Sequence, residues 1–170
     1  PFIVMNAGTA MITEQSPYIA RTSFTMWQSN YPLGTWAAKR FKTAYIAVSD
    51  YGPGHDSQNA FTKAYTAAGG KIIGTVRMPP ATMDYAPFLQ RVKDAKPDAL
   101  FVFVPAGKSA TALMKGFGEL GLAQAGIKLI GPGDLCASCR FADDCSDRSR
   151  CLHLEASAGN VTAAAVDPDN

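Results

Sequence analysis

The residues best equipped for chemistry gather around one loop, Asp50-Tyr51-Gly52-Pro53-Gly54-His55-Asp56, which follows the apolar run Ala44 to Val48. Glycines at the end of a strand let backbone N–H groups approach an anion, so a phosphate cradle is the first chemistry to weigh. The fingerprint fails: its third glycine position holds Ser57, and Pro53 takes one N–H out of the loop. Arg77 ends the following strand where a nucleotide 2′-phosphate is met in such folds, but no Gly-Lys-Ser/Thr phosphate loop accompanies it. An NADP-dependent enzyme is left as a remote alternative.

Hydrolysis needs a nucleophile with a base in reach, and the histidines are only His55 and His153. No serine stands in a nucleophile elbow. His55-Asp56 suggests a metal pair but lacks further ligands at suitable spacing; the simpler assignment puts His55 near a helix start with Asp56 as its cap. Cys136-x-x-Cys139, Cys145, Cys151 and His153 carry donor atoms for zinc, yet their spacing matches no standard site and the sequence around them has little to bury. We expect no catalysis, no metal and no cofactor.

The elements that must position the loop follow from periodicity. Phe2 to Met5 reads as a short strand ending in the small-residue loop Asn6-Ala7-Gly8-Thr9-Ala10, and Tyr18 to Thr22 as a second extended piece. Leu33, Trp36, Ala37 and Arg40 fall at helical spacing, with Pro32 in the first turn, which predicts a helix over roughly Tyr31 to Phe41. Strand 44–48 leads to a helix with Ala60, Phe61, Ala64 and Ala68 on one face, stopped by Gly69-Gly70. Strand 71–76 follows, then a helix capped by Asp84 with Pro87 in its first turn and stopped by Pro97. Strand 99–104 comes next, then a helix over Lys108 to Leu120 closing on Gly121, and strand 127–130. Strict alternation of this kind builds a parallel sheet with helices on both faces. The loops after the strands, at Tyr51, 77–83, Pro105-Ala106-Gly107 and 131–134, then share one edge where a small molecule fits.

The totals agree with a globular α/β protein: 170 residues, 47% hydrophobic, 18% charged, net charge +2. Basic residues are scattered without a run or aromatic interleaving, so nucleic acid is not an expected partner. No stretch has the apolar length of a membrane span. The sequence changes character near Leu135: every cysteine lies beyond it, and the basic excess gives way to an acidic one.

Taken in order and spacing, several stretches resemble the periplasmic solute-binding proteins of ABC importers in the leucine/isoleucine/valine-binding family. They are 18–22, Asp50-Tyr51-Gly52-Pro53-Gly54, Ala67-Ala68-Gly69-Gly70, Asp84 to Leu89, Lys96-Pro97-Asp98-Ala99-Leu100, Leu113 to Leu122 and Gly131 to Asp134. The resemblance implies the type I binding-protein fold, two α/β lobes around a hinge, present here incompletely. It assigns residues 1–42 to the end of lobe 1, 43–135 to most of the second, Rossmann-like lobe, and 136–170 to an atypical cysteine-containing tail, disordered or out of frame. Translating the underlying DNA in the other frames tests that last idea, which fails if no family-like sequence continues after Leu135.

The resemblance also implies a site and a role. In the family a small-residue and threonine loop grips the ligand carboxylate, which falls on Ala7, Gly8 and Thr9; an aromatic covers the ligand, which falls on Tyr51. An acidic residue holds the ligand ammonium, for which Asp134 is the nearest residue, with Gly133 as the alternative alignment. A second tyrosine of the family falls at Ala106 or Gly107, so the pocket is expected to be roomier and to suit a bulkier or aromatic carboxylate as well as leucine. The implied function is capture of a small carboxylate-bearing solute, an amino acid or a related acid, and its presentation to a membrane permease in the periplasm. A ligand-sensing receptor domain of the same fold is the alternative.

Overall fold

The computed structural model describes residues 1–133 and the backbone of two further strands, Cys151–Ser157 and Asn160–Ala164. Strand β1 (Phe2–Val4) leads into a short 3-10 turn (Ala10–Glu14) and strand β2 (Ile19–Arg21), which lies parallel to β1 with Phe2 opposite Ile19. These two strands form a sheet of their own. Helix α1 (Met26–Ala38) follows, then β3 (Thr43–Ser49), α2 (Gly52–Ala67), β4 (Lys71–Met78), α3 (Ala86–Ala95), β5 (Ala99–Phe103), α4 (Lys108–Glu119) and β6 (Lys128–Ile130). The main sheet runs β4-β3-β5-β6, all parallel, and continues through β7 (Cys151–Ser157) to β8 (Asn160–Ala164), which is antiparallel to β7.

Residue alternation explains why this sheet is covered on both sides. In β5 every residue is buried, and successive side chains point to opposite faces. Ala99, Phe101 and Phe103 join Ala44, Ile46 and Val48 of β3 under α1 and α2, where Leu33, Ala37, Phe61 and Tyr65 complete the cluster. Leu100 and Val102, with Val104 just beyond the strand, join Ala47 under α3 and α4, against Leu89, Val92, Leu113 and Phe117. The Phe61 ring stacks on Phe101 with centroids 4.1 Å apart and planes inclined by 13°, which joins α2 to the centre of the sheet.

Two sequence expectations are corrected. Helix α1 begins at Met26 rather than near Tyr31, because Thr25 and Gln28 form a reciprocal capping box: the Gln28 N–H donates to Thr25 Oγ1 at 3.3 Å and the Thr25 N–H to Gln28 Oε1 at 2.7 Å. Pro32 therefore sits in the helix interior. Helix α1 also packs in the same core as β3 and β5. Second, Tyr65 and not Ala68 closes the buried face of α2. The reading of 136–170 as disordered or out of frame falls mostly outside the described residues; within it, 151–157 and 160–164 are strands, where Leu152 and Leu154 alternate with polar residues.

At the sheet's amino edge Asp98 ties β5 to β3. Its Oδ2 accepts the N–H groups of Thr43 at 2.8 Å and Lys42 at 3.0 Å, while its own N–H donates to Thr43 Oγ1 at 2.9 Å. The backbone N–H of Thr43 is the main influence holding the Asp98 carboxyl below the usual carboxylate range. Nearby, the buried Tyr65 hydroxyl donates to the Phe41 carbonyl at 2.7 Å, and burial, aided by the Asp98 charge, pushes its phenol up to about 12.

Candidate functional site

The chain leaves β3 for β4 on one side and later returns to β5 on the other, so the carboxyl ends of β3 and β5 flank the point where the winding reverses. In open parallel sheets the crevice at that point receives the ligand. Tyr51 follows β3 there, and Ala106-Gly107 follow β5. Tyr51 is the N-cap residue of α2 in an extended conformation; its N–H donates to the Ser49 carbonyl at 2.9 Å and its carbonyl accepts from His55 at 3.0 Å. Its half-buried ring stacks on Phe103 at 6.1 Å with planes inclined by 28°, so the aromatic from one strand end is braced by the other.

The two loop glycines serve packing. A Cβ on Gly54 lies 1.8 Å from the Ser49 carbonyl oxygen, and one on Gly52 lies 2.7 Å from Thr9 Oγ1. No side chain fits at Gly54, and any at Gly52 displaces Thr9. Ser57, which broke the phosphate fingerprint, is fully buried and accepts from Asn30 Nδ2 of α1 at 3.0 Å. The glycine-rich stretch is thus a close-packing device joining α2 to its neighbours, and the nucleotide reading loses its geometric basis.

Thr9 meets Gly52, so the small-residue loop after β1 and the tyrosine loop after β3 come together although 42 residues separate them, as the positions of Thr9 and Tyr51 give. Gly8 is buried against Met26, and its carbonyl accepts the Met26 N–H at 2.9 Å. Arg21, at the end of β2, donates to the carbonyls of Ala7 and, at 2.6 Å, Thr9. Asp56 does not cap α2, because the helix starts at Gly52 with Pro53 in its first turn. Its carboxylate instead accepts the Ala10 N–H at 2.7 Å and the Trp27 indole Nε1–H at 3.3 Å.

His55 is a neighbour of Asp50, with Nε2 and Oδ1 2.6 Å apart, and Arg77 reaches the same oxygen at 4.0 Å while donating from Nε to Gln58 at 2.9 Å. These side chains all reach solvent in part, Asp50 by about half, so they form a solvated rim rather than a catalytic dyad. Among the described residues no group of three histidine, cysteine or acidic side chains is placed to hold a metal.

Gly107 caps α4 with φ of 88° and ψ of −134°, a conformation closed to side chains, so the small residue expected to widen the pocket is also required by the backbone. Ala106 beside it is exposed. Gly131 and Pro132 are buried and Gly133 exposed, whereas Asp134 lies outside the described residues. The structure therefore brings Gly8, Thr9 and Tyr51 into one locality, with Ala106 and Gly107 at the adjoining strand end. Sequence reasoning missed Arg21 and the role of Asp56. The Arg21-Thr22 pair lay inside a stretch already singled out, but its carbonyl partners are 12 and 14 residues away and carry no local signal.

Comparison with known proteins extends this geometry. A family described as "Periplasmic binding protein" matches residues 1–136. A Leu/Ile/Val-binding protein homolog of Brucella melitensis is 46% identical over 136 residues, which is 79% of this chain and 35% of that protein. A solute-binding protein of an ABC transporter from Rhodopseudomonas palustris BisB5, solved with 3,4-dihydroxybenzoic acid, is 55% identical with a TM-score of 0.76, covering 80% of this chain and 38% of that one. A second R. palustris solute-binding protein, solved with 4-hydroxybenzoate, is 48% identical with the same TM-score, over 79% and 37% of the two chains. The chain thus spans little more than a third of the length of the relatives it matches.

Proposed function

This chain belongs to the periplasmic binding protein family, and on that premise we propose that it carries the ligand-gripping segments of an ABC-importer solute-binding protein for a hydroxylated aromatic acid. The observation that carries the reading is the meeting of the Ala7–Thr9 loop with the Tyr51–Gly52 loop beside the Tyr51–Phe103 stack. A carboxylate needs convergent N–H and hydroxyl donors, which the first loop supplies, and a benzoate ring needs an aromatic face, which Tyr51 supplies. The small residues Ala106 and Gly107 leave room for a ring, and the identity to two relatives solved with hydroxybenzoates supports this class over leucine. The protein works without catalysis, in the periplasm, and hands its solute to a membrane permease.

The lobes divide within 22–25, between β2 and α1, since α1 packs with the second lobe's sheet. Closure on the ligand is then a hinge motion about that segment, driven by contacts made only in the closed state. The test is calorimetric titration of a two-lobed chimera, in which residues 1–133 replace their counterparts in the R. palustris BisB5 protein. Tight binding of 3,4-dihydroxybenzoate or 4-hydroxybenzoate and none of leucine is expected. A folded chimera that prefers leucine, or binds no aromatic acid, contradicts the proposal.

A further inference from the structure

We propose that Arg21 and Asp56 are positioning residues that together shape the Ala7–Ala10 loop and latch it to the second lobe. This deepens the solute-binding reading and rests on it for the loop's purpose, but the latch itself is a statement about geometry.

Three consecutive peptide groups of the loop are held by named partners. Arg21 holds the 7–8 peptide by the Ala7 carbonyl, the Met26 N–H holds the 8–9 peptide by the Gly8 carbonyl, and the 9–10 peptide is held from both ends, Thr9 O by Arg21 and Ala10 N–H by Asp56. Among the described residues no cis peptide bond occurs, and a trans peptide points its N–H opposite to its carbonyl. Fixing the Ala7 and Gly8 carbonyls therefore directs the Gly8 and Thr9 N–H groups away from Arg21 and Met26, as donors for a carboxylate. A guanidinium suits the first task because its planar fork reaches two acceptors at once.

Asp56 performs a task that its amide cannot. Its two oxygens each accept a hydrogen bond from a different element, Oδ2 from Ala10 in the first-lobe segment and Oδ1 from Trp27 on α1. Asparagine offers one acceptor and turns an N–H₂ toward one of the two donors. The Ala10 bond crosses from one lobe to the other over 46 residues of sequence, and the Thr9–Gly52 approach lies beside it. Together they fix how the carboxylate-gripping loop sits relative to Tyr51.

The experiment is amide hydrogen exchange by NMR on the full 170-residue chain, comparing the native sequence with Asp56→Asn. In the native chain the Ala10 amide is expected to be protected, and in the variant to exchange about tenfold faster, as loss of one charge-assisted hydrogen bond implies. The Trp27 indole N–H resonance should move in the same variant, while Phe101 and Val102 of β5 keep their protection. If Asp56→Asn also opens β5, Arg21→Lys takes its place, since it keeps the charge and loses the fork, and the same Ala10 criterion applies. An Ala10 amide that is unprotected in the native chain, or equally protected in the folded variant, overturns the latch. A protected Ala10 that opens in the variant upholds it even where the chimera binds no aromatic acid, a result that counts against the ligand reading alone.

Discussion

Replacing Gly34 by alanine tests whether the close approach of α1 and α2 is as tight as the packing demands. A Cβ at Gly34 lies 2.7 Å from the Phe61 carbonyl oxygen, 2.9 Å from Ala64 Cβ and 3.1 Å from the Tyr65 backbone nitrogen. Two of those neighbours are backbone atoms of α2 and cannot rotate aside, so the helices must separate. Alanine in a helix interior gains about 0.5–1 kcal/mol over glycine. Overpacking a fitted contact costs roughly 1–3 kcal/mol, and here the cost wins, for a net loss of about 1–2 kcal/mol. For a chain of this size that lowers the unfolding midpoint by roughly 2–8 °C. Gly118 in α4 is the control, because a Cβ there meets nothing within 4 Å; Gly118→Ala should be stabilising by up to about 1 kcal/mol. Urea unfolding followed by circular dichroism at neutral pH measures both. A Gly34→Ala midpoint at or above that of the native chain, or both variants moving the same way, refutes the packing argument.

Tyr51→Ala removes the ring stacked on Phe103, and in the chimera the affinity for 3,4-dihydroxybenzoate should fall at least about tenfold with little change in melting temperature, read by titration and calorimetry. Asp98 is held below its ordinary pKa, so its contribution is present above the unfolded carboxyl value near ~4 and fades as pH falls through the folded one. Asp98→Ala should therefore lower the urea midpoint at pH 7 and converge on the native chain in strong acid; a constant offset across pH would be at odds with this. Tyr65 has the opposite sign: with a folded value of about 12 above an unfolded one near ~10, the unfolded chain ionises first, and stability drains away as pH rises through that window. Tyr65→Phe should flatten that loss while costing about 1 kcal/mol near neutrality, since the Phe41 carbonyl loses its donor.

The sheet and its helices were legible because their signals are local. The β5 run is apolar throughout and buried throughout, and Gly69 takes the left-handed conformation its position after α2 implied, with φ of 91°. Asp84 stands one residue before the N-cap of α3, which is Tyr85, and its carboxylate accepts the Ala86 N–H at 3.0 Å. The start of α1 was also encoded locally, in Thr25 and Gln28, but Pro32 drew the boundary to itself because proline is commonest in a first turn. A neighbouring proline misdirected the reading of Asp56: Pro53 opens α2 a full turn earlier, freeing the carboxylate for partners on other elements. The resemblance, rather than spacing, pointed to Thr9 and Tyr51 as neighbours. Arg21 and the Asn30–Ser57 bond depend on contacts across the fold that no periodicity reports.

The most direct test of the central claim is the set of nuclear Overhauser contacts between the aromatic protons of bound 3,4-dihydroxybenzoate and the chimera. Contacts to the Tyr51 ring and to the Thr9 methyl group in the same complex are expected, because the two loops meet at Gly52. A bound ligand that contacts neither residue places the site elsewhere and contradicts the account.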